Sequence, residues 1–246
     1  MNSIAGGGTL LTFPALIALG VPPINANATS TVALWPGSIS SVWGYRALLR
    51  GSGPWAVGFA MPSLLGGALG AWLLLRTPPE QFSDIVPWLV LGATGLFMVQ
   101  RPVMAWLARR APRAESRKPD GDEVLTNRRP PVYILVYQFL VAIYGGYFGA
   151  GVGILMLAAL GFMGLTNIHR MNGLKNWGGV CMNVIAAAIF AFSSLVNWPV
   201  ALAMALGAVA GGYLGSRTAQ RVPQELVRGA VVAVGLISGL LLFLTR

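Results

Sequence analysis

The chain has 246 residues and a mass of 25.9 kDa, with 55% hydrophobic and only 10% charged residues. Seven Asp and Glu cannot solvate the surface of a soluble globule of this length, and a mean hydropathy of +0.67 excludes intrinsic disorder as well. The formal charge of +10 does not point to nucleic acid, because eight of the 17 basic residues lie between Arg101 and Arg129, separating apolar blocks as the positive-inside rule places a cytoplasmic loop.

Apolar blocks recur along the chain at about the 20 residues that a helix needs to cross a hydrocarbon core of about 30 Å. They fall at about 4–20, 26–49, 55–75, 85–107, 131–161, 167–193, 197–216 and 226–245. Met1 runs straight into Ser3-Ile4-Ala5-Gly6 without a basic segment or cleavage site, so insertion is expected to use a retained helix. Pro22-Pro23, Gly53-Pro54, Pro78-Pro79-Glu80, Asn197-Trp198-Pro199 and Val222-Pro223 punctuate the blocks. Trp43, Trp55, Trp88, Trp106 and Trp198 stand near their ends, as interfacial anchors do. The runs do not alternate, which disfavours a β-barrel. The predicted fold class is all-α, a polytopic integral membrane protein whose partner is the lipid bilayer.

An offset of 141 residues superimposes the first half on the second. Gly8 falls on Gly149, Ala18-Leu19-Gly20 on Ala159-Leu160-Gly161, Gly37 on Gly178, Gly70 on Gly211 and Arg76-Thr77 on Arg217-Thr218. The predicted organisation is therefore two tandem homologous repeats of about four helical segments each. Residues 1–107 form the first membrane repeat, 108–130 a basic cytoplasmic linker, and 131–246 the second membrane repeat. In this register the counterparts of Pro131 to Ile143 would precede Met1, so the first repeat is expected to lack its opening half-helix. Four crossings per half place the linker and Arg246 on the cytoplasmic side; a re-entrant glycine break would make the count odd and invert the repeats. Repeated membrane proteins are mostly transporters that hold their ligand between the repeats.

Two features carry chemistry. The glycine clusters Gly6-Gly7-Gly8 and Gly145 to Gly153 disfavour continuous helix and permit a break at membrane depth. A break exposes the N-terminus of a half-helix, which suits an anion, although close packing through small residues explains such glycines equally well. Beyond each cluster, Asn25 to Thr31 and Thr166 to Asn176 open the following block. Asn25 and Thr166 read as helix N-caps. His169, Asn172, Asn176, Gly179 and Asn183 step by three and four, forming a polar stripe on an otherwise apolar helix, with Lys175 beside it. An ammonium at that depth marks a functional site unless it snorkels to the interface. The equivalent first-repeat stripe, Thr31, Trp35, Ser38 and Val42, is neutral.

All seven acids lie in loops or near block ends, which disfavours carboxylate proton relays and di-iron sites. One His and one Cys, His169 and Cys181, do not make a zinc site, so no metal or cofactor is expected. The expected site is formed by backbone donors at Gly6, Gly7, Gly8, Gly149, Gly151 and Gly153, orienting groups at Asn27, Thr29, Ser30, Asn172 and Asn176, and the charge of Lys175, with His169 able to donate to a bound anion. The rival readings are a membrane-embedded accessory protein or enzyme without transport activity, and a cation channel, which needs pore acids that are absent here.

Ala5-Gly6-Gly7-Gly8-Thr9-Leu10-Leu11-Thr12-Phe13-Pro14, Leu19-Gly20-Val21-Pro22-Pro23 and Ala26-Asn27-Ala28-Thr29-Ser30-Thr31 resemble the first-repeat signature of the TauE/SafE sulfite exporter family. His169 to Asn176 and Gly211-Gly212-Tyr213-Leu214-Gly215-Ser216-Arg217 resemble the second-repeat signature. The resemblance covers almost the whole chain. It implies a bacterial inner-membrane permease for small anions, linked to sulfite and organosulfur compounds.

Overall fold

The computed structural model describes residues 8–45, 52–110, 129–163, 165, 168–218 and 224–244, and all the secondary structure among them is helical. The helices are α1 (Gly8–Ala18), α2 (Pro23–Tyr45), α3 (Gly53–Arg76), α4 (Pro79–Arg110), α5 (Val132–Tyr147), α6 (Val152–Phe162), α7 (Ile168–Ala191), α8 (Trp198–Thr218) and α9 (Gln224–Leu244). Three segments are long and apolar enough to cross a bilayer: Gly53–Arg76, Pro79–Val99 and Arg170–Ala191. Val57, Met61 and Leu65 on α3, Leu202 and Leu206 on α8, and Leu240 and Leu244 on α9 face outward, which suits surroundings of lipid. Arg110 ends α4 three residues inside the segment read as a linker, and 111–128 lie outside the described residues.

Local chemistry sets the helix ends. Pro54 occupies the first turn of α3, where its missing N–H costs nothing, and Glu80 in the first turn of α4 meets the positive end of the helix dipole. Gly20, at φ +80°, closes α1 in a Schellman motif: its N–H reaches the Ile17 carbonyl and the Val21 N–H the Leu16 carbonyl, at 2.9 and 3.1 Å.

The block at 131–161 is not one crossing. Phe148 to Gly151 break it, with Gly149 and Gly151 at φ +79° and +75°, and α6 folds back along α5. Three tyrosines of α5 fasten the return: Tyr144 donates to the Ala150 carbonyl at 2.6 Å, Tyr137 to the Leu155 carbonyl at 3.2 Å, and Tyr133 to Met163 Sδ at 2.9 Å. Their order makes the pair a hairpin whose tip is the glycine break. Its returning arm, α6, rises only about 16 Å, roughly half a hydrocarbon core.

The hairpin is held by the closest helix packing among the described residues. A Cβ on Gly66 would lie 2.5 Å from the Phe139 carbonyl oxygen, and one on Gly70 or Gly146 would run into the backbone of Ile143 or Gly67. Across α3, a Cβ on Gly67 would lie 2.6 Å from the Met182 carbonyl, and Trp177 Nε1 donates to the Ala56 carbonyl at 2.7 Å. These pairings ascend together in residue number, so α3, α5 and α7 run parallel. At contacts this close, dispersion replaces the hydrophobic effect that lipid cannot supply.

On the opposite side, α2 runs antiparallel to α7. The start of α2 meets the segment after α7, where Asn25 Nδ2 donates to the Leu195 carbonyl at 2.9 Å, and the start of α7 meets the segment after α2, where Arg170 Nη1 donates to Ser52 Oγ at 3.1 Å. Asn25 thus bridges helices inside α2 rather than capping it. A core of Leu10, Phe13, Leu16, Phe82, Val86, Phe97 and Phe190 joins α1, α2, α4 and the end of α7.

A second register also relates the two halves. Gly53 and Trp198, which begin α3 and α8, are 145 residues apart. In the 145 register Gly66, Gly67 and Gly70 fall on Gly211, Gly212 and Gly215, and Arg76, Pro78 and Glu80 on Arg221, Pro223 and Glu225. The two registers differ by about one helical turn, so both keep small residues on matching faces.

The close packing predicts a sharp contrast between two leucine substitutions. Gly70→Leu forces side-chain volume into the α5 backbone and is expected to remove the monodisperse folded species in size-exclusion chromatography. Gly92→Leu, at an exposed position with nothing within 4 Å, is expected to leave that species unchanged.

Candidate functional site

The hairpin tip ends in a cavity of about 70 Å³ between α2 and α7. The first turn of α6 enters it through Gly149, Val152 and Gly153, α2 supplies Thr31, Leu34 and Ser38, and α7 supplies Lys175, Asn176, Gly179 and Asn183; Thr9 of α1 completes the polar lining.

Lys175 dominates its electrostatics. It is the eighth residue of α7, about 10 Å along the helix from its start, and is only 4% exposed. Its Nζ has no hydrogen-bond partner among the described residues, nor has Asn176 Nδ2 beside it. A buried ammonium without a counter-charge is costly, and the described cavity lining contains no acid to compensate it. The half-helix α6 directs the positive end of its dipole to the same place. The ammonium, the amide N–H and the helix N-terminus are donors or positive and together fit an oxyanion, while the Thr31 and Ser38 hydroxyls donate to the Asn27 and Leu34 carbonyls at 3.0 and 3.2 Å.

Of the residues anticipated from the sequence, the structure brings Gly149, Gly153, Lys175 and Asn176 together around the cavity. The others are placed differently. Asn27, 1% exposed, donates from Nδ2 to the Tyr147 carbonyl at 2.8 Å and so ties α2 to the hairpin tip. Thr29 Oγ1 accepts the Asn197 N–H at 3.0 Å. The Ser30 hydroxyl is bonded to that of Thr12 at 2.7 Å. Gly151 faces α4, where a Cβ would touch Ala93. Gly8 is buried and its carbonyl accepts from Thr12. Asn172 Oδ1 is buried without a partner, away from the cavity lining. His169 lies in the first turn of α7; Gly6 and Gly7 lie outside the described residues. The site also uses Thr9, Thr31, Ser38 and Asn183. The stripes at helical spacing contained the last three, whereas nothing in the sequence singles out Thr9.

The profile described as Sulfite exporter TauE/SafE matches residues 1–242. The chain belongs to the TauE/SafE family. It is 29% identical over 242 residues to the "Probable membrane transporter protein ORF9" of Sinorhizobium sp, covering 96% of this chain and 84% of that one. It is 28% identical over 244 residues to the "Probable membrane transporter protein YfcA" of Escherichia coli strain K12, covering 96% and 82%. A "Probable membrane transporter protein" of Haemophilus influenzae is 28% identical over 238 residues, covering 94% and 85%. No solved structure matches the chain. As a TauE/SafE protein with several apolar helices, the chain is a membrane transporter.

The Asn27 bond is testable separately from transport. Asn27→Leu leaves the buried Tyr147 carbonyl without its side-chain donor and is expected to cost about 1–3 kcal/mol, measured as a lower melting temperature of the purified protein. An unchanged melt would show that the bond does not hold the hairpin tip to α2.

Proposed function

We propose that this TauE/SafE transporter moves a small oxyanion, sulfite or an organosulfur anion, across a bacterial inner membrane by alternating access around the Lys175 cavity. The observation that carries this reading is the lysine itself: a nearly fully buried ammonium without a hydrogen-bond partner among the described residues, facing a cavity where hydroxyls, amides and the start of a half-helix share the lining with Leu34, Phe148, Met156 and Met182. The family description supplies the sulfite, and the relatives' printed names support transport without naming a substrate.

In this mechanism the anion replaces its hydration shell with the Lys175 ammonium, the Asn176 amide and the first turn of α6. The Thr9 hydroxyl takes a further oxygen, whereas those of Thr31 and Ser38 donate to the Asn27 and Leu34 carbonyls and must turn from them to reach the anion. Substrate binding neutralises the lysine, lowering the cost of holding it in hydrocarbon and favouring closure of the surrounding helices. With no carboxylate in the described lining, the cycle has no acidic proton relay, and uniport, exchange or export down a gradient fits the site.

The test is sulfite flux in proteoliposomes containing the full chain. Lys175→Met is expected to reduce the initial rate at least tenfold while the protein still reconstitutes, and Lys175→Arg to retain part of it. Undiminished flux in Lys175→Met would remove the lysine from the transport path.

A further inference from the structure

The 145-residue register has a counterpart in the cavity wall. Thr31 and Asn176, Leu34 and Gly179, and Ser38 and Asn183 are each 145 residues apart, and all six line the cavity from antiparallel helices. Matching positions of α2 and α7 therefore meet across it. The same register pairs Lys175 with Ser30. Ser30 is fully buried, outside the cavity lining, and bonded to Thr12. Where one half contributes an ammonium, the other contributes a neutral hydroxyl already engaged elsewhere. Arg170, the other cation in the first half of α7, lies five residues nearer the helix start and is bonded to Ser52.

We infer that the cavity selects monovalent over divalent oxyanions, and that the Lys175 ammonium, unmatched by a cation at the equivalent Ser30, sets this selectivity. The inference rests on the cavity being the anion site. Its physical basis is a difference in scaling. Desolvating an ion costs free energy in proportion to the square of its charge, whereas its attraction to one fixed ammonium grows only in proportion to the charge. From monoanion to dianion the cost rises about fourfold and the attraction about twofold. A monoanion on Lys175 leaves a neutral pair. A dianion leaves one uncompensated negative charge, with only hydroxyl and amide dipoles and the end of α6 to meet it. The substrate class is thus a small, singly charged hydrogen-oxyanion or sulfonate.

Methanesulfonate and sulfate form a suitable probe pair, being nearly the same size and differing chiefly by a methyl group in place of a charged oxygen. Isothermal titration calorimetry on the detergent-purified full chain, at constant pH and ionic strength, is expected to show methanesulfonate binding at least tenfold more tightly than sulfate. That binding is expected to be lost in Lys175→Met. Equal or tighter sulfate binding to the unsubstituted protein, lost in Lys175→Met, would overturn the selectivity while leaving the anion site in place. Binding of neither ion, or binding unchanged in Lys175→Met, would overturn the site and the selectivity together.

Discussion

An ammonium held in hydrocarbon needs a negative partner, and Lys175 has none among the described residues of this protein. The arrangement around it follows from that constraint. The acids are kept from the cavity lining, the half-helix α6 ends beside the lysine, and the nearby polar groups on α2 and α7 are neutral. A carboxylate in the lining would form a permanent ion pair and remove the reason for an anion to bind. The lysine is therefore better understood as half of an ion pair whose other half is mobile.

Holding an interrupted helix beside that charge requires rigidity nearby. The hairpin tip has backbone in the left-handed region at Gly149 and Gly151, conformations that side chains other than glycine seldom tolerate. Its support comes from α3, which lies against α5 on one side and α7 on the other with no room for a Cβ at Gly66, Gly67 or Gly70. Small residues at one interface thus allow a break at another. Tyr144 and Asn27 complete the support by bonding backbone carbonyls at the break and at the end of α5, which would otherwise remain unsatisfied away from water.

Much of this was legible in the sequence, and what was not has physical reasons. Block length and hydropathy identified the helices, because hydrocarbon thickness imposes a length. Lys175 and the glycine run stood out because a charge and a cluster of helix-weakening residues are both exceptional in apolar sequence. The fold-back of α6 was not legible, since an apolar run of that length fits one tilted crossing or a hairpin, and the tyrosines that distinguish them bond across the turn. Asn27, Thr29 and Ser30 were read as substrate groups because composition shows hydrogen-bonding capacity without showing the partner, and here the partners are Tyr147, Asn197 and Thr12.

The antiparallel course of α2 and α7 has a consequence for direction. Across the cavity, what α2 presents toward one face of the membrane α7 presents toward the other, so two chemically identical helices would make both faces equally easy to open. Leu34 and Gly179 break that equivalence. An isobutyl group stands on one wall and a hydrogen atom at the matching place on the other, so the two walls differ in bulk while sharing a backbone plan.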